Sequence, residues 1–294
     1  MTTDFPVDDL VAGFQIEAWP VRGRMVRLGA VVDDILKRHE YPDPVADLLG
    51  EACALAALVG ASLKFDGRLI IQAQGDGAVS YVVADYDTSG SLRGYCRFDP
   101  GRVDDLSHGF ARPGAHSLLG QGVFVMTVDQ GPDFERTQGV TPIEGETLAL
   151  SAEHYFAQSE QLPTRIRLAV SQQDGRWRAG GSMIQLIAPD LARGDTEEAW
   201  TRTQALFETL GEEELTDPEL TTDRLLYRLF HEDGVRMFEP KPLKAKCRCS
   251  QEGVVGMLRS FPISERAEMI EADGLIRVTC EYCSTVYEIE PEGV

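Results

Sequence analysis

The sequence predicts an α+β protein: an N-terminal domain (1–189) with a mainly antiparallel sheet and packed helices, a helical linker (190–240), and a small C-terminal domain (241–294) carrying four cysteines. Three observations predict it. Short β-rich runs punctuated by glycine follow two apolar helical patterns. Strand signals then vanish in an acidic amphipathic stretch. Finally, two close cysteine pairs, Cys247-Arg-Cys249 and Cys280-Glu-Tyr-Cys283, stand near the C-terminus, about thirty residues apart.

Taken in order, Leu28, Val31, Val32, Ile35 and Leu36 recur at helical spacing and predict a first helix over about 26–39, stopped by Tyr41-Pro-Asp-Pro44. A second helix, more apolar all round, is expected from Val45 to about Leu63. The runs 69–74, 80–85, 91–98 and 122–129 are short, rich in β-formers and separated by turn residues, so they form a sheet. A further helix is expected near 145–159. The runs 164–171 and 177–187 then make a hairpin through Gln173-Asp-Gly175.

Pro189 marks a change in character. Between 190 and 240 Asp and Glu outnumber Lys and Arg by 14 to 5, and two helical patterns take over. One, over about 196–210, lines up Trp200, Thr203, Phe207 and Leu210, with Asp195 and Glu198 as a capping pair. The other, near 220–231, holds Leu225, Leu226, Leu229 and Phe230. Such a segment is too amphipathic for a disordered linker and too small for a core of its own, so its stripes must dock on a neighbour. Segments of that kind sit at the low end of local stability.

The formal net charge of −20 argues against nucleic acid as the main partner, because that polyanion is bound through Lys and Arg. A nucleic-acid-binding zinc ribbon would need a basic stripe, and only Lys241, Lys244, Lys246 and Arg248 stand near the cysteines. The longest apolar stretch, around 52–63, falls short of a bilayer span, and no secretory signal is evident at the N-terminus. No membrane partner is expected, and a cytoplasmic location is.

In that compartment six cysteines do not make a static disulfide framework. Cys53, in an apolar helical pattern, and Cys96, in a strand-like run, are expected to be small buried residues. The other four, Cys247, Cys249, Cys280 and Cys283, can close one tetrahedral thiolate site on a single Zn²⁺, which makes the last segment a four-cysteine zinc domain. The C-x-C half is tighter than the usual C-x₂₋₄-C. A domain this small rarely folds without a staple, and structural zinc supplies about 10–16 kcal/mol against the roughly 5 kcal/mol of such a core. Thiolate is also the form that oxidants attack, and each cysteine has a partner one or two residues away that could capture a sulfenic acid. Lys244, Lys246 and Arg248 are expected to favour thiolate at the first pair, and Glu281 to disfavour it at the second.

Spacing alone leaves three readings open: a plain zinc staple, an oxidant switch, and a binding or catalytic zinc site. A catalytic zinc keeps one position free, which four cysteines do not. Gln74-Gly-Asp-Gly77 lacks the Lys-Ser/Thr of a P-loop and is read as a tight turn, as is Gly120-Gln-Gly122. The five histidines show no metal spacing, and no enzyme signature is present.

The residues resemble the 33 kDa chaperonin family, redox-regulated heat-shock chaperones. The resemblance runs over nearly the whole chain, through Tyr41-Pro-Asp-Pro-Val45, Leu63-Lys-Phe-Asp-Gly67, Gln74-Gly-Asp-Gly77 and Gln138-Gly-Val140. It continues in Tyr155-Phe156, Ser159-Glu-Gln-Leu-Pro-Thr-Arg165, Ala179-Gly-Gly181 and Arg228-Leu-Phe-His-Glu232, and ends in the two cysteine pairs. It implies an ATP-independent holdase, inactive when reduced and zinc-bound and activated by oxidative stress, often with heat. Cys247 would then join Cys249 and Cys280 would join Cys283, zinc would leave, and the linker would unfold. Unfolded or partly unfolded client proteins would be captured, and the active form would tend to form a homodimer. Within the linker, Trp200, Leu206, Phe207, Leu210, Leu225, Leu229 and Phe230 are the candidate client-binding residues. The alternative is a constitutive zinc-stapled interaction or scaffold protein whose cysteines never cycle.

Overall fold

The computed structural model describes residues 7–64, 66–109, 112–131, 133–187 and 196–294. The chain forms two compact units, the first reaching Ala245 and the second running from Lys246 to Val294. The expected start of the linker at 190 and the Asp195 cap lie outside the described residues.

An N-terminal hairpin, β1 (Leu10–Ile16) and β2 (Val21–Leu28), leads into α1 (Ala30–Lys37) and α2 (Asp43–Gly60). The expected first helix therefore starts late, because Val26–Leu28 belong to a strand. β2 pairs with β1 on one side and with β9 (Arg176–Leu186) on the other, and these ladders override the helical spacing. Asp9 fixes the switch: its carboxylate accepts from the backbone N–H of Gly29 (2.9 Å) and Val31 (3.0 Å), two donors that the start of α1 leaves open.

Fourteen of the eighteen residues of α2 are buried, as an all-round apolar helix requires. It lies between two sheets rather than on one. On one side it meets β3 (Arg68–Gly75), β4 (Val79–Asp87) and β5 (Ser91–Phe98); on the other it meets β2, β8 (Thr164–Gln173) and β9. The first sheet has the order β10-β1-β2-β9-β8, with β10 at Val235–Met237 and β11 (Lys241–Pro242) also pairing with β1. The second has the order β12-β5-β4-β3-β6-β7, with β6 at Gly122–Asp129, β7 at Thr137–Pro142 and β12 at Lys244–Ala245. Among the described residues these pairings are antiparallel except β12 with β5. The single sheet read from the sequence is thus two. α3 (Pro100–Gly109), α4 (Ala115–Leu119) and α5 (Leu148–Tyr155) join these strands, and α5 runs on into one π-helical turn to Glu160.

β8 and β9 form the expected hairpin, with Asp174 (φ 50°) and Gly175 (φ 71°) both left-handed at its turn. The first sheet is apolar on both faces: Val26, Leu28, Leu168 and Met183 point to α2, whereas Phe14, Ile16, Val21, Met25 and Ile184 point away from it. That outer face is covered by α6 (Thr196–Glu208), α7 (Glu212–Thr216) and α8 (Thr222–Phe230). Two adjacent glycines of β9 allow both coverings. A Cβ on Gly181 would lie 2.8 Å from Leu58 and Leu168, and one on Gly180 would collide with the backbone carbonyl of Leu215 in α7.

The second unit holds α9 (Gln251–Arg259), α10 (Ile263–Glu268) and the hairpin β13 (Ile276–Thr279) with β14 (Val286–Ile289). Ser250 caps α9, accepting from the N–H of Gly253 at 3.1 Å. The fully buried apolar set is only Leu258, Ile276 and Ile289, with Val254, Val255, Met269, Val278 and Tyr287 packed around it.

Candidate metal centre

Two loops of the second unit meet at the cysteines. Cys247 and Cys249 lie in the stretch before α9; Cys280 and Cys283 lie in the turn between β13 and β14. That turn is shaped by backbone bonds, with Cys280 N–H donating to Thr285 O (2.9 Å) and Ser284 N–H to Cys280 O (2.8 Å), and Ser284 takes a left-handed φ of 55°. All four thiols are half-buried and unbridged.

Their Sγ atoms all lie within 4.8 Å of one another. Cys247 and Cys280 are 3.7 Å apart, and Cys249 and Cys283 are 3.4 Å apart. A tetrahedral site with Zn–S bonds of about 2.3 Å sets its sulfurs about 3.8 Å from each other. The donor set and its spacing therefore fit one soft, four-coordinate metal ion.

Hydroxyl groups support the sulfurs from outside. Tyr287 donates to Cys249 Sγ at 3.0 Å, and the Thr285 hydroxyl lies 3.2 Å from Cys283 Sγ. Burial pushes the Cys283 thiol up, but the side chain and backbone of Thr285, with Cys249 and Cys280, outweigh it and bring the thiol down to about 6. Burial pushes Cys249 up to about 12, with Tyr287 opposing and the neighbouring thiols adding to the rise. Cys280 is also raised, chiefly by burial. The expectation that the basic residues favour thiolate is corrected at Cys249, whose thiol burial raises. There the cost of burying a thiolate outweighs flanking charges screened by water. Thr285 and Tyr287 escaped the sequence reading; their signal is a hydroxyl residue two and four positions after Cys283.

The candidate client-binding residues gather elsewhere, in the first unit. Phe207, Leu210, Leu225, Leu229 and Phe230 are buried against the outer face of the first sheet, and Trp200 and Leu206 are half-buried beside them. Phe230 stacks on Phe14 of β1 with ring centroids 5.9 Å apart. The sequence reading named this helical half of the contact and missed its partner, the residues Phe14, Ile16, Val21, Met25 and Ile184 of the sheet. Strands apolar on both faces were the available signal. Cys53 and Cys96 are buried as expected, and burial raises both thiols, Cys53 to about 12. Gln74-Gly-Asp-Gly77 is a turn, held by Gly77 N–H on Leu119 O at 2.7 Å.

A two-sheet α+β unit with a helical cover, followed by a small unit closed by four converging thiols, defines a class of protein built around a metal-capable thiol cluster. Residues 9–290 match the family described as Hsp33 protein, and the chain belongs to that family of heat-shock chaperones. The 33 kDa chaperonin of Caulobacter vibrioides is 67% identical over 98% of this chain and 96% of its own length. That of Escherichia coli is 34% identical, over 96% and 92% respectively. The crystal structure of the 33 kDa chaperonin from Thermotoga maritima has the same fold, with a TM-score of 0.80 at 24% identity over 97% of this chain and 96% of that one. Among the described residues no helix is long and apolar enough to cross a membrane.

Proposed function

We propose that the chain is a redox-regulated, ATP-independent holdase of the cytoplasm. Cys247, Cys249, Cys280 and Cys283 hold one Zn²⁺ in the reduced, inactive protein. An oxidant such as hydrogen peroxide takes two electrons from each close pair and is itself reduced to water. The products are a Cys247–Cys249 and a Cys280–Cys283 disulfide, which together remove all four ligands. The three-segment organisation, 1–189, 190–240 and 241–294, then acquires meaning: the last segment senses, the middle one lets go, and the first is uncovered. Unfolding clients are held on the exposed apolar faces, Trp200, Leu206, Phe207, Leu210, Leu225, Leu229 and Phe230 among them, and the active form dimerises.

The observation that carries this reading is the convergence of four thiols within 4.8 Å in a unit with only three fully buried apolar side chains. Loss of the ligands removes the main hold on such a unit. The buried stripes of α6 to α8 support it from the other side, since they supply a large apolar surface that is hidden until the helices leave. Peptide mapping of the oxidised protein checks the two pairings. The test compares reduced and oxidised protein for zinc content, free thiols and suppression of aggregation of a thermally unfolding client. Equal client protection in both states refutes the switch, and zinc retained after a hypochlorite challenge points to the constitutive scaffold.

A further inference from the structure

The outer face of the first sheet holds a fully buried arginine. Arg27 of β2 has no exposed surface, and burial pushes its guanidinium below the usual arginine range. Its two amino groups donate to backbone carbonyls of α7 and the residue after it, Glu214 (3.2 Å) and Asp217. Arg178 of β9 donates to the Thr216 carbonyl at 2.6 Å, and Gln173 of β8 reaches the same oxygen at 3.3 Å. Behind them stands Asp8, bonded to Arg178 at 2.5 Å and 3.7 Å from Nε of Arg27. The residue paired with Arg27 across the sheet is Gly180, where α7 rests on bare backbone.

The carbonyls at a helix C-terminus have no partner within the helix, and here two guanidinium groups supply one. Cations are also favoured at that end of a helix. We propose that Asp8, Arg27 and Arg178 form a latch that holds the linker helices on the sheet independently of the cysteine cluster. Docking then has a charged clasp of its own inside the first unit. For its functional consequence alone the latch rests on the holdase reading above. Apolar packing of α6 and α8 is not directional, whereas the latch fixes one register, because the forked donors of Arg27 meet carbonyls three residues apart.

Arg27→Met leaves the Glu214 and Asp217 carbonyls without their donor and removes one of the two cations beside Asp8, and Arg27→Lys keeps the charge but loses the fork. Hydrogen bonds to a charged group are strong enough that their loss should raise local opening roughly tenfold or more. The experiment follows amide exchange in the full, reduced, zinc-loaded chain, together with zinc content and client protection. The expected result is exchange at least about tenfold faster over 212–230, unchanged exchange in β3, β4 and β6, and full zinc retention. Unchanged exchange over 212–230 overturns the latch; so does a rise shared equally by β3, β4 and β6, which marks general destabilisation. Faster exchange without client protection upholds the latch and refutes the linker as the cover of the client site. Where Arg27→Met fails to fold, Arg178→Gln, at the rim of the clasp, answers the same question by the same readouts.

Discussion

Replacing Glu51 by Gln should stabilise the first unit at pH 8 and leave it unchanged near pH 4. Glu51 sits in the middle of α2 and lines a cavity of about 420 Å³ with Asp47, Arg112 and Glu212. Burial pushes its carboxyl from an ordinary 4.5 up to about 7; the Leu148 N–H, bonded to it at 3.0 Å, and Arg112 oppose the rise, and Asp47 and Glu212 add to it. The folded protein therefore holds this proton at pH values where the unfolded chain has released it. The resulting penalty is absent below about pH 4.5, grows as pH rises, and is complete above about pH 7. Lifting the carboxyl that far corresponds to about 3 kcal/mol, an upper bound because the cavity admits water. Glutamine keeps an acceptor for Leu148 and has no charge to bury. Urea unfolding of both proteins from pH 4 to pH 8 measures the difference, which should open between about pH 4.5 and pH 7. A flat difference, or one that widens toward acid, refutes the reasoning.

Other outcomes follow from single contacts. Cys280→Ser removes one of four converging sulfurs, so zinc per chain after gel filtration should fall well below one, and oxidant activation through the second pair should be lost. Gly180→Val drives a side chain into the Leu215 carbonyl, so trypsin should cut at Arg224 and Arg228 several-fold faster than in the parent; equal rates refute direct packing of α7 on β9. Cys53 and Cys96 are buried and their thiols raised, so alkylation should reach them only under unfolding conditions, whereas the other four should react once the metal is chelated.

What the sequence disclosed and what it withheld divide along physical lines. β3, β4, β5 and β6 announce themselves because each alternates or clusters β-formers between glycine turns, and α2 because its apolar run is too long for a strand. Val26–Leu28 misled because three residues with helical spacing to Val31 and Val32 also satisfy a strand buried on both faces, and only the partners β1 and β9 decide. The two-sheet arrangement was invisible for the same reason: which strands pair is a long-range matter that local pattern does not carry. At the thiol site the four converging cysteines were legible from spacing, yet the tuning was not. The Cys283 thiol is shifted down because a turn places Thr285 against it. Arg27 fell inside the stretch read as the first helix, and its burial appears only once β2 is formed and α7 lies over Gly180.

After the linker the chain does not wander off. β11 pairs with β1 in one sheet, and β12 joins β5 in the other, while the linker follows β9, which lies between β2 and β8 in the first sheet. The helical cover is therefore a strap sewn down at both ends, and detaching it opens a loop instead of freeing a tail. The entropy gained by such a loop grows only slowly with its length, and its return is a unimolecular closure at a high local concentration. On the holdase reading proposed above, a bound client would compete with a strap that never diffuses away.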